Sequence, residues 1–535
     1  MKTLYTNGTV VTMDPRFPEA ESLVTEENRI IGIGNHAIMA ALAGSDCTTV
    51  DMQGGALFPG FNETHNHLSM YAVFRQYAYL GASETIAELI DVLKRHGSTT
   101  DAPIIVGYSY DDTLLKDGRQ ITRYDLDEVS TERPVIVIHI SMHLGFLNSA
   151  GLQHYGITRD TPNPVGGEIH QDEAGPNGRL DEIAWFDIIS QFDPPDSETY
   201  LGLLEESIKE FNRCGITGVH DAGLGIEGMP EAVYDSYRTL ESQGKLSLRV
   251  FLSLLPDTVE IMNPEPLTEM RDERLKLGGV KLFIDGSIQA ETAALMEPYA
   301  RHSDKKGELV MDVEEFEALV TQYHSAGHHL SIHGNGDAAI EAIITAFEKA
   351  QEASPQPDIR HMLIHSQMAH RDHLKRMRKL GVIPSFFCMH VQNWGDRHRD
   401  LFIGPERAAR IDPAGEAEAM GLPFTLHVDT PILPIQILDS IQAAVTRETR
   451  NGDILGPDQC TTQYGAVAAY TSMAALCSRS ENERGTLSVG KLADMTLLSQ
   501  DITMIDPKEI KNTIVRMTVI GGDVVYCNDT YVRDS

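Results

Sequence analysis

Residues 329–367 read HLSIHGNGDAAIEAIITAFEKAQEASPQPDIRHMLIHSQ, and this stretch decides the fold. It begins and ends with short strand-like segments, 329–334 and 362–367, and each segment finishes in polar residues. Between them, residues 337–353 place apolar side chains three and four positions apart, which predicts an amphipathic helix. A strand, a helix and a second strand in this order form a βαβ unit, whose two strands are parallel. The stretch therefore predicts a parallel α/β fold.

The same strand-like pattern occurs eight times along the chain. The eight segments are 56–67, 217–223, 248–255, 280–286, 329–334, 362–367, 383–390 and 423–429. A further helix is predicted at 313–327, directly before the fifth segment. Eight successive βα units are typical of a (β/α)8 TIM barrel, whose active site lies at the carboxyl ends of its strands. We therefore expect a TIM barrel over residues 59–484.

Both ends of the chain are rich in short strands and turns. Asn-Gly and Gly-Gly pairs mark turns in residues 1–58, and residues 485–535 have the same character. This pattern predicts a small composite β-sandwich domain formed by both termini. About 150 residues separate the first two barrel segments, which is too long for a loop. We expect an inserted subdomain at about 72–205, after the first barrel strand.

The charge of the chain restricts its partners. The chain has 44 Lys and Arg against 78 Asp and Glu, a formal net charge of −34 at pH 7. A surface with this charge repels nucleic-acid phosphates and anionic membranes, so we expect a small-molecule substrate and neither of those partners. The surplus of carboxylates also favours a host adapted to a salt-rich environment.

Cysteine spacing and apolar runs bear on the compartment. The six cysteines lie far apart and form no CxxC motif, which favours a reducing cytoplasm over a disulfide scaffold. The N-terminus lacks the ~7–15-residue apolar stretch of a signal peptide. No run approaches the ~18 apolar residues of a membrane span. We expect a soluble cytoplasmic protein, and a homodimer is a reasonable expectation for the fold.

Histidines and an aspartate fall at the ends of the predicted barrel strands. His65 and His67 are separated by one residue, so their side chains point the same way and can chelate one metal ion. Taken alone, the pair could also be two polar residues at a strand tip. His333, His365 and Asp429 occupy matching places in the fifth, sixth and eighth segments. These nitrogen and oxygen ligands suit zinc or another first-row divalent metal.

Several motifs resemble the amidohydrolase superfamily. FPGFNETHNHL (58–68) resembles the first-strand motif of that superfamily, and GTLSVGKLADMTLLS (485–499) resembles its C-terminal signature. The segments similar to the amidohydrolase-3 branch, which includes N-substituted formamide deformylases, are 148–169, 280–299, 333–340 and 427–432. The resemblance implies a metal-dependent hydrolase of non-peptide C–N bonds on a TIM barrel with a small β-sandwich.

The resemblance also implies roles for the strand-end residues. His65 and His67 would hold one metal, while His333 and His365 would hold a second ion or complete a single site. Zinc is the expected metal, with iron or manganese as alternatives. Asp429 would contact the metal, accept a proton from the activated water and pass it to the leaving nitrogen.

Lys281, in the fourth segment, matches a lysine that several relatives carry in carboxylated form as a bridge between two metals. A plain ammonium group is a poor neighbour for a metal cation, whereas the carbamate is an anionic oxygen ligand. The alternative is a salt bridge from Lys281 to a carboxylate such as Asp285. Asp285 itself is a less favoured ligand.

Substrate contacts are expected from outside the ligand set. His143, from the insert, and His220, from the second segment, are candidate donors to the substrate, or else they are structural. Trp394 and His390 lie in the polar and aromatic stretch 386–400, which begins within the seventh segment. They are expected to line the pocket, unless the stretch is an ordinary barrel loop packed on the lid. His427 is either a further substrate contact or a residue packed behind the ligands.

The sequence also departs from the family pattern. Ile364 precedes His365 where relatives usually carry Glu, so we expect His365 to be without a hydrogen-bond partner behind it. Deaminases on this barrel typically carry Glu three residues after the fifth-strand histidine. Gly336 occupies that position here, which disfavours deamination. An esterase remains an alternative. A non-enzymatic regulatory protein on a hydrolase scaffold is disfavoured because every expected ligand is present.

Overall fold

The computed structural model describes residues 1–165, 167–226, 228–266, 273–529 and 531. The strands in these residues are β1 (Lys2–Thr6), β2 (Thr9–Val11), β3 (Glu19–Ala20), β4 (Ser22–Glu26), β5 (Arg29–Gly34), β6 (Thr48–Asp51), β7 (Ala56–Pro59), β8 (Phe61–Asn66), β9 (Ala78–Tyr79), β10 (Ile105–Tyr110), β11 (Val135–His139), β12 (Leu144–Leu147), β13 (Gly167–Asp172), β14 (Gly175–Glu182), β15 (Ile216–Leu224), β16 (Arg249–Leu254), β17 (Leu275–Phe283), β18 (His329–Gly334), β19 (Met362–His365), β20 (Ile383–Phe386), β21 (Thr425–Leu426), β22 (Met495–Leu498), β23 (Val515–Ile520) and β24 (Asp523–Cys527).

The α-helices in the same residues are α1 (His36–Ala43), α2 (Leu68–Phe74), α3 (Ile86–Thr99), α4 (Arg123–Asp127), α5 (Ser149–His154), α6 (Ile183–Ile189), α7 (Ser197–Arg213), α8 (Pro230–Ser242), α9 (Pro256–Met262), α10 (Val313–Ser325), α11 (Asp337–Ala353), α12 (Arg371–Leu380), α13 (Met389–Arg397), α14 (Gly404–Ala408), α15 (Ala414–Ala419), α16 (Ile437–Thr446), α17 (Gln463–Tyr470) and α18 (Ser472–Cys477).

A sheet of eight parallel strands forms the barrel, in the order β8, β15, β16, β17, β18, β19, β20, β21. The first and last strands approach each other where His67 N donates to Thr430 O at 2.8 Å. Thr64 Oγ1 also donates to Leu426 O at 3.2 Å. The prediction of an eight-stranded parallel barrel is confirmed, and all eight predicted segments contribute a strand to it.

The first predicted segment, 56–67, forms two strands rather than one. Its first part, β7, pairs with β2 and β22, and only β8 belongs to the barrel. Gly60 separates the two strands. A Cβ at this position would lie 2.2 Å from the side chain of Thr217 on the neighbouring barrel strand, so the close approach requires glycine.

The predicted helices around the fifth strand are confirmed as α10 and α11. In α11 the buried side chains Ile340, Ile343, Ile344 and Phe347 follow the spacing of three and four that the sequence shows. After the seventh strand the structure differs from the prediction, because the strand ends at Phe386 and α13 begins within the predicted segment 383–390.

The chain divides into two compact units. One unit comprises residues 1–69, 204–430 and 434–535, and it contains the barrel. This unit also contains a four-stranded sheet, β5-β4-β1-β6, and a six-stranded sheet, β24-β23-β22-β7-β2-β3. Strand β22 from the C-terminal part pairs with β7 from the N-terminal part. One apolar cluster includes Tyr5 and Leu23 of the four-stranded sheet together with Leu57 and Met517 of the six-stranded sheet.

The other unit comprises residues 70–203 and 431–433. Its sheet has the order β13-β14-β12-β11-β10-β9, and β10 and β11 are parallel. The sequence of the insert has two runs rich in β-branched residues, 104–108 and 134–141, and these overlap β10 and β11. Trp185 is fully buried in the apolar core of this unit, together with Ile136 and Leu180.

None of the helices in the described residues is long and apolar enough to cross a membrane.

Candidate metal centre

Four candidate ligands lie at the carboxyl ends of barrel strands. His65 belongs to β8 and His67 follows that strand, His365 is the last residue of β19, and Asp429 follows β21. The backbone of His365 has φ = 66° and that of Asp429 has φ = 60°, which is left-handed. Non-glycine residues in this region carry strain on the order of 1–3 kcal/mol, and such strain concentrates at functional sites.

The carboxylate of Asp429 is surrounded by imidazole nitrogens. Its Oδ1 lies 3.4 Å from Nε2 of His65 and 3.4 Å from Nε2 of His67. Its Oδ2 lies 4.0 Å from Nε2 of His365. Atoms of His65, His365 and Asp429 all lie within 4.8 Å of one another, which is close enough to share one metal ion.

The surroundings of Asp429 Oδ1 show that a cation fits the site. Asp429 Oδ1 is buried, and within the described residues it has no hydrogen-bond partner of good geometry. Nδ1 of His67 lies 2.6 Å from the carbonyl oxygen of Ala222 and can only donate to it, so in the neutral ring that binds metals Nε2 presents a lone pair towards Asp429. A buried carboxylate oxygen beside lone pairs lacks a positive partner. A divalent cation satisfies this donor set.

The electrostatics keep the imidazoles of His65 and His365 neutral. Burial lowers the pKa of His65 well below its usual value, and the nearby Lys281 ammonium lowers it further. Burial and the neighbouring His333 act in the same direction on the pKa of His365. Burial alone would raise the pKa of Asp429, but the surrounding side chains, with the Lys281 ammonium among them, together outweigh it and the net shift is downward. Neutral imidazoles and an ionised carboxylate are the protonation states that metal ligands need.

Lys281, on β17, lies beside this group. It is fully buried, its Nζ lies 3.3 Å from Nε2 of His65, and it sits 4.8 Å from the ring centroid of Phe283. Burial lowers the pKa of Lys281 to about 7, although the charge of Asp429 opposes this shift. The residue is therefore a buried amine adjacent to the candidate ligands. The carboxylate whose charge acts on the pKa of Lys281 is Asp429, not Asp285.

His333 lies next to the candidate ligands, but its Nε2 atom contacts groups outside that set. Its ring centroid is 4.6 Å from that of His365, while its Nε2 lies 3.1 Å from the carbonyl oxygen of Gly286. Asp285 Oδ1 is 3.6 Å from the same nitrogen. Asp285 itself accepts hydrogen bonds from three backbone amides, those of residues 294, 335 and 336, and so fixes the loops around His333.

His365 has a hydrogen-bond partner on the side of its ring away from Asp429. His427 Nε2 lies 3.1 Å from His365 Nδ1, and His427 Nδ1 lies 2.8 Å from Ser385 Oγ. The expectation that Ile364 leaves His365 without a partner is therefore wrong. The partner follows β21, which lies two strands along the sheet from β19, and is not the residue before the ligand.

Glu63 was not singled out by the sequence, yet it supports the centre. Its carboxyl oxygens accept from the backbone amides of His65 and Val428, both at 3.1 Å, so it connects β8 to the segment that carries Asp429. Burial raises the pKa of Glu63 well above its usual value. The alternation of Glu63, His65 and His67 along one face of β8 is the signal that could have revealed it.

The three histidines expected to contact the substrate, His143, His220 and His427, differ from one another in their surroundings. His220 is buried within β15, where its imidazole contacts Ser253 and Phe251. His143 belongs to the other unit and its Nδ1 lies 3.0 Å from Glu182 Oε2. Both ring nitrogens of His427 contact protein groups.

Trp394 and His390 lie on α13. Trp394 is 2% exposed, and its ring centroid is 5.9 Å from that of His390. The His390 ring in turn lies 6.0 Å from the His365 ring, and its Nδ1 is 3.3 Å from Asp412 Oδ1. His390 is thus the nearer of the two to the candidate ligands, and Asp412 is a partner that the sequence did not indicate.

Comparisons with known proteins extend along nearly the whole chain. A family model described as "Amidohydrolase family" matches residues 48–526. The putative amidohydrolase YtcJ of Bacillus subtilis is 29% identical, over 98% of this chain and 99% of the relative. N-substituted formamide deformylase of Arthrobacter pascens is 27% identical, over 97% of each chain. The crystal structure of an uncharacterized metal-dependent hydrolase from Pyrococcus horikoshii is 25% identical, with a TM-score of 0.76 over 95% of this chain and 99% of that one.

Proposed function

We propose that this chain, which belongs to the amidohydrolase family, hydrolyses a non-peptide C–N bond in a small amide, N-formyl compound or cyclic amide. The observation that carries the proposal is the buried Asp429 carboxylate, which faces the Nε2 atoms of His65, His67 and His365. The relative named as an N-substituted formamide deformylase supports this type of bond.

The residues of the centre divide between holding a cation and handling a proton. His65, His67, His365 and Asp429 would hold a divalent metal, with zinc as the first choice and iron or manganese as alternatives. Such a cation, when bound, lowers the pKa of water from 15.7 towards ~7 and polarises a carbonyl group. His333 would complete the set or serve a second ion.

Asp429 is the proposed proton acceptor and donor. Its pKa is lowered, so the carboxylate is ionised at neutral pH and able to take a proton from water. When the C–N bond breaks, the leaving nitrogen needs a proton to depart as a neutral amine. The same carboxyl group then returns the proton it accepted.

Lys281 is proposed to carry a carboxyl group. With its pKa lowered to about 7, a large fraction of the amine is unprotonated at neutral pH. The Nζ lone pair can attack the carbon of carbon dioxide, so that the N–C bond forms as one C=O π bond opens to an oxyanion. The nitrogen then gives a proton to water, and an anionic carbamate results. Native mass spectrometry should then show an adduct of one CO2 in wild type, and Lys281→Met should abolish it. Wild type without the adduct would refute the carbamate alone.

Substrate contacts are proposed for His143, His220 and Trp394, with His390 between Trp394 and the centre. The test is a screen of metal-reconstituted protein against N-formyl, N-acyl and cyclic amides and matched esters, following amine release and acid release separately. We expect amine release that depends on the metal and is lost on chelation. Hydrolysis of the esters alone would indicate an esterase, release of ammonia from ring amines would indicate a deaminase, and a chain that holds less than one metal ion per two molecules would favour a non-enzymatic protein.

We also propose that residues 1–58 and 485–535 form one composite β-sandwich, with an inserted subdomain at about 72–205. The shared apolar cluster of the two terminal sheets supports the sandwich. A homodimer and a small-molecule substrate are further proposals, and sedimentation analysis tests the former.

A further inference from the structure

A chain of hydrogen bonds begins at the Nδ1 atom of His365 and crosses the barrel interior. His427 Nε2 lies 3.1 Å from that atom, and His427 Nδ1 lies 2.8 Å from Ser385 Oγ. Ser385 Oγ lies 3.5 Å from Thr64 Oγ1, which donates to the carbonyl oxygen of Leu426 at 3.2 Å. All four side chains are buried, so water cannot replace these contacts without rearrangement.

The direction of each hydrogen bond follows from the role of His365. If His365 Nε2 presents its lone pair towards the carboxylate of Asp429, the single proton of the neutral ring is on Nδ1. Nδ1 then donates to His427 Nε2, which must accept. His427 therefore carries its own proton on Nδ1 and donates it to Ser385 Oγ. The hydroxyl groups of Ser385 and Thr64 continue the sequence in the same direction, and the backbone carbonyl is the final acceptor.

We propose that His427 is a positioning residue that fixes the tautomer and orientation of His365, and that Ser385 in turn fixes the tautomer of His427. Partners of this kind usually raise the metal affinity of a ligating histidine by holding it in its binding state. A neutral imidazole fills that role here. Because both nitrogens of His427 are engaged by the protein, the ring has no polar atom left for a substrate. The inference rests on the proposed function only in taking His365 as a metal ligand.

The test is the affinity of the apoprotein for Zn²⁺, measured by competition with a chelator, in wild type and variants. His427→Leu removes both hydrogen bonds and should weaken binding about 10–100-fold. His427→Gln keeps one acceptor and one donor on a side chain of similar size, so it should restore most of the affinity. Ser385→Ala leaves His427 free to adopt either tautomer and should give a smaller loss. The visible spectrum of the Co²⁺-loaded protein should change in His427→Leu and Ser385→Ala.

His361→Leu is the matched control. His361 is another buried barrel histidine, bonded to His324 at 2.9 Å and to the amide of Leu330 at 3.0 Å. Its loss should reduce thermal stability while leaving Zn²⁺ affinity and the Co²⁺ spectrum as in wild type. Equal losses of affinity in His361→Leu and His427→Leu would overturn the proposal, as would equal losses in His427→Leu and His427→Gln.

Other outcomes separate this inference from the proposed function. Wild-type affinity in His427→Leu overturns the inference and leaves the hydrolase assignment standing. If His427→Leu does not fold, Ser385→Ala decides alone, and wild-type affinity with an unchanged Co²⁺ spectrum overturns the inference. A wild-type protein that binds Zn²⁺ but cleaves none of the screened compounds refutes the proposed function only. A wild-type protein that binds no metal refutes both.

Discussion

Replacing Asp429 with Asn tests the proposed proton acceptor directly. Asparagine has the same shape and keeps an oxygen at the place that lies 3.4 Å from Nε2 of both His65 and His67. Its amide cannot accept a proton at neutral pH, whereas the lowered pKa of Asp429 keeps the carboxylate ionised. Loss of a positioned general base typically costs 10²–10⁴ in rate, or about 3–5 kcal/mol in the activation barrier.

The loss should fall on kcat and leave KM nearly unchanged, because the three histidines retain the metal. Steady-state kinetics on the best amide substrate and elemental analysis of the same sample measure both quantities. Asp221→Asn is the matched control, since Asp221 is a buried barrel carboxylate that accepts from Ser69 and Tyr237. It should retain kcat. If Asp429→Asn holds a full complement of metal and its kcat stays within about tenfold of wild type, the role assigned to Asp429 is refuted.

Three further predictions concern stability. Arg249 and Asp494 form a buried ion pair with an Nε–Oδ2 distance of 2.6 Å, so Arg249→Leu should cost about 3–5 kcal/mol in urea unfolding by leaving a buried charge unpaired; a loss below about 1 kcal/mol would contradict this. Gly60→Ala should cost about 1–3 kcal/mol because the added Cβ meets Thr217 at 2.2 Å, and an unchanged melting temperature would argue against the close approach. Burial lowers the pKa of Lys281 from 10.5 to about 7, so between these pH values the unfolded chain binds more protons than the folded one. The free energy of unfolding of the metal-free protein should therefore rise with pH in this range. Lys281→Met should flatten this pH dependence, and an identical pH dependence in wild type and variant would speak against the pKa shift.

Local patterns in the sequence suffice for the barrel strands and for the helices around the fifth strand. Parallel barrel strands are buried on both faces, so a run such as 362–364 is apolar until the polar residues at the strand end. The spacing of Ile340, Ile343 and Phe347 likewise marks the buried face of α11. These patterns depend only on the residues of the strand or helix itself, so they can be recognised in the sequence without a structure.

Contacts across the barrel cannot be predicted from local sequence patterns. The break at Gly60 depends on the side chain of Thr217, and the partner of His365 is His427, 62 residues away. Reasoning from the neighbouring Ile364 therefore gave the wrong expectation. The ligand residues could be identified because each lies at a strand end, but the direction of each imidazole, above all that of His333, is set by loops that no local pattern describes.

The seam of the barrel passes through the candidate metal centre. Strands β8 and β21 are the two edges of the parallel sheet, and they meet through the His67 amide, Thr64 and Glu63. His65 and Asp429 stand on opposite sides of that meeting point. Any ion held by both residues therefore joins the first and last strands, which lie more than three hundred residues apart in the chain. Closing the barrel thus brings His65 and Asp429 together, and an ion bound by both would tie the first strand to the last.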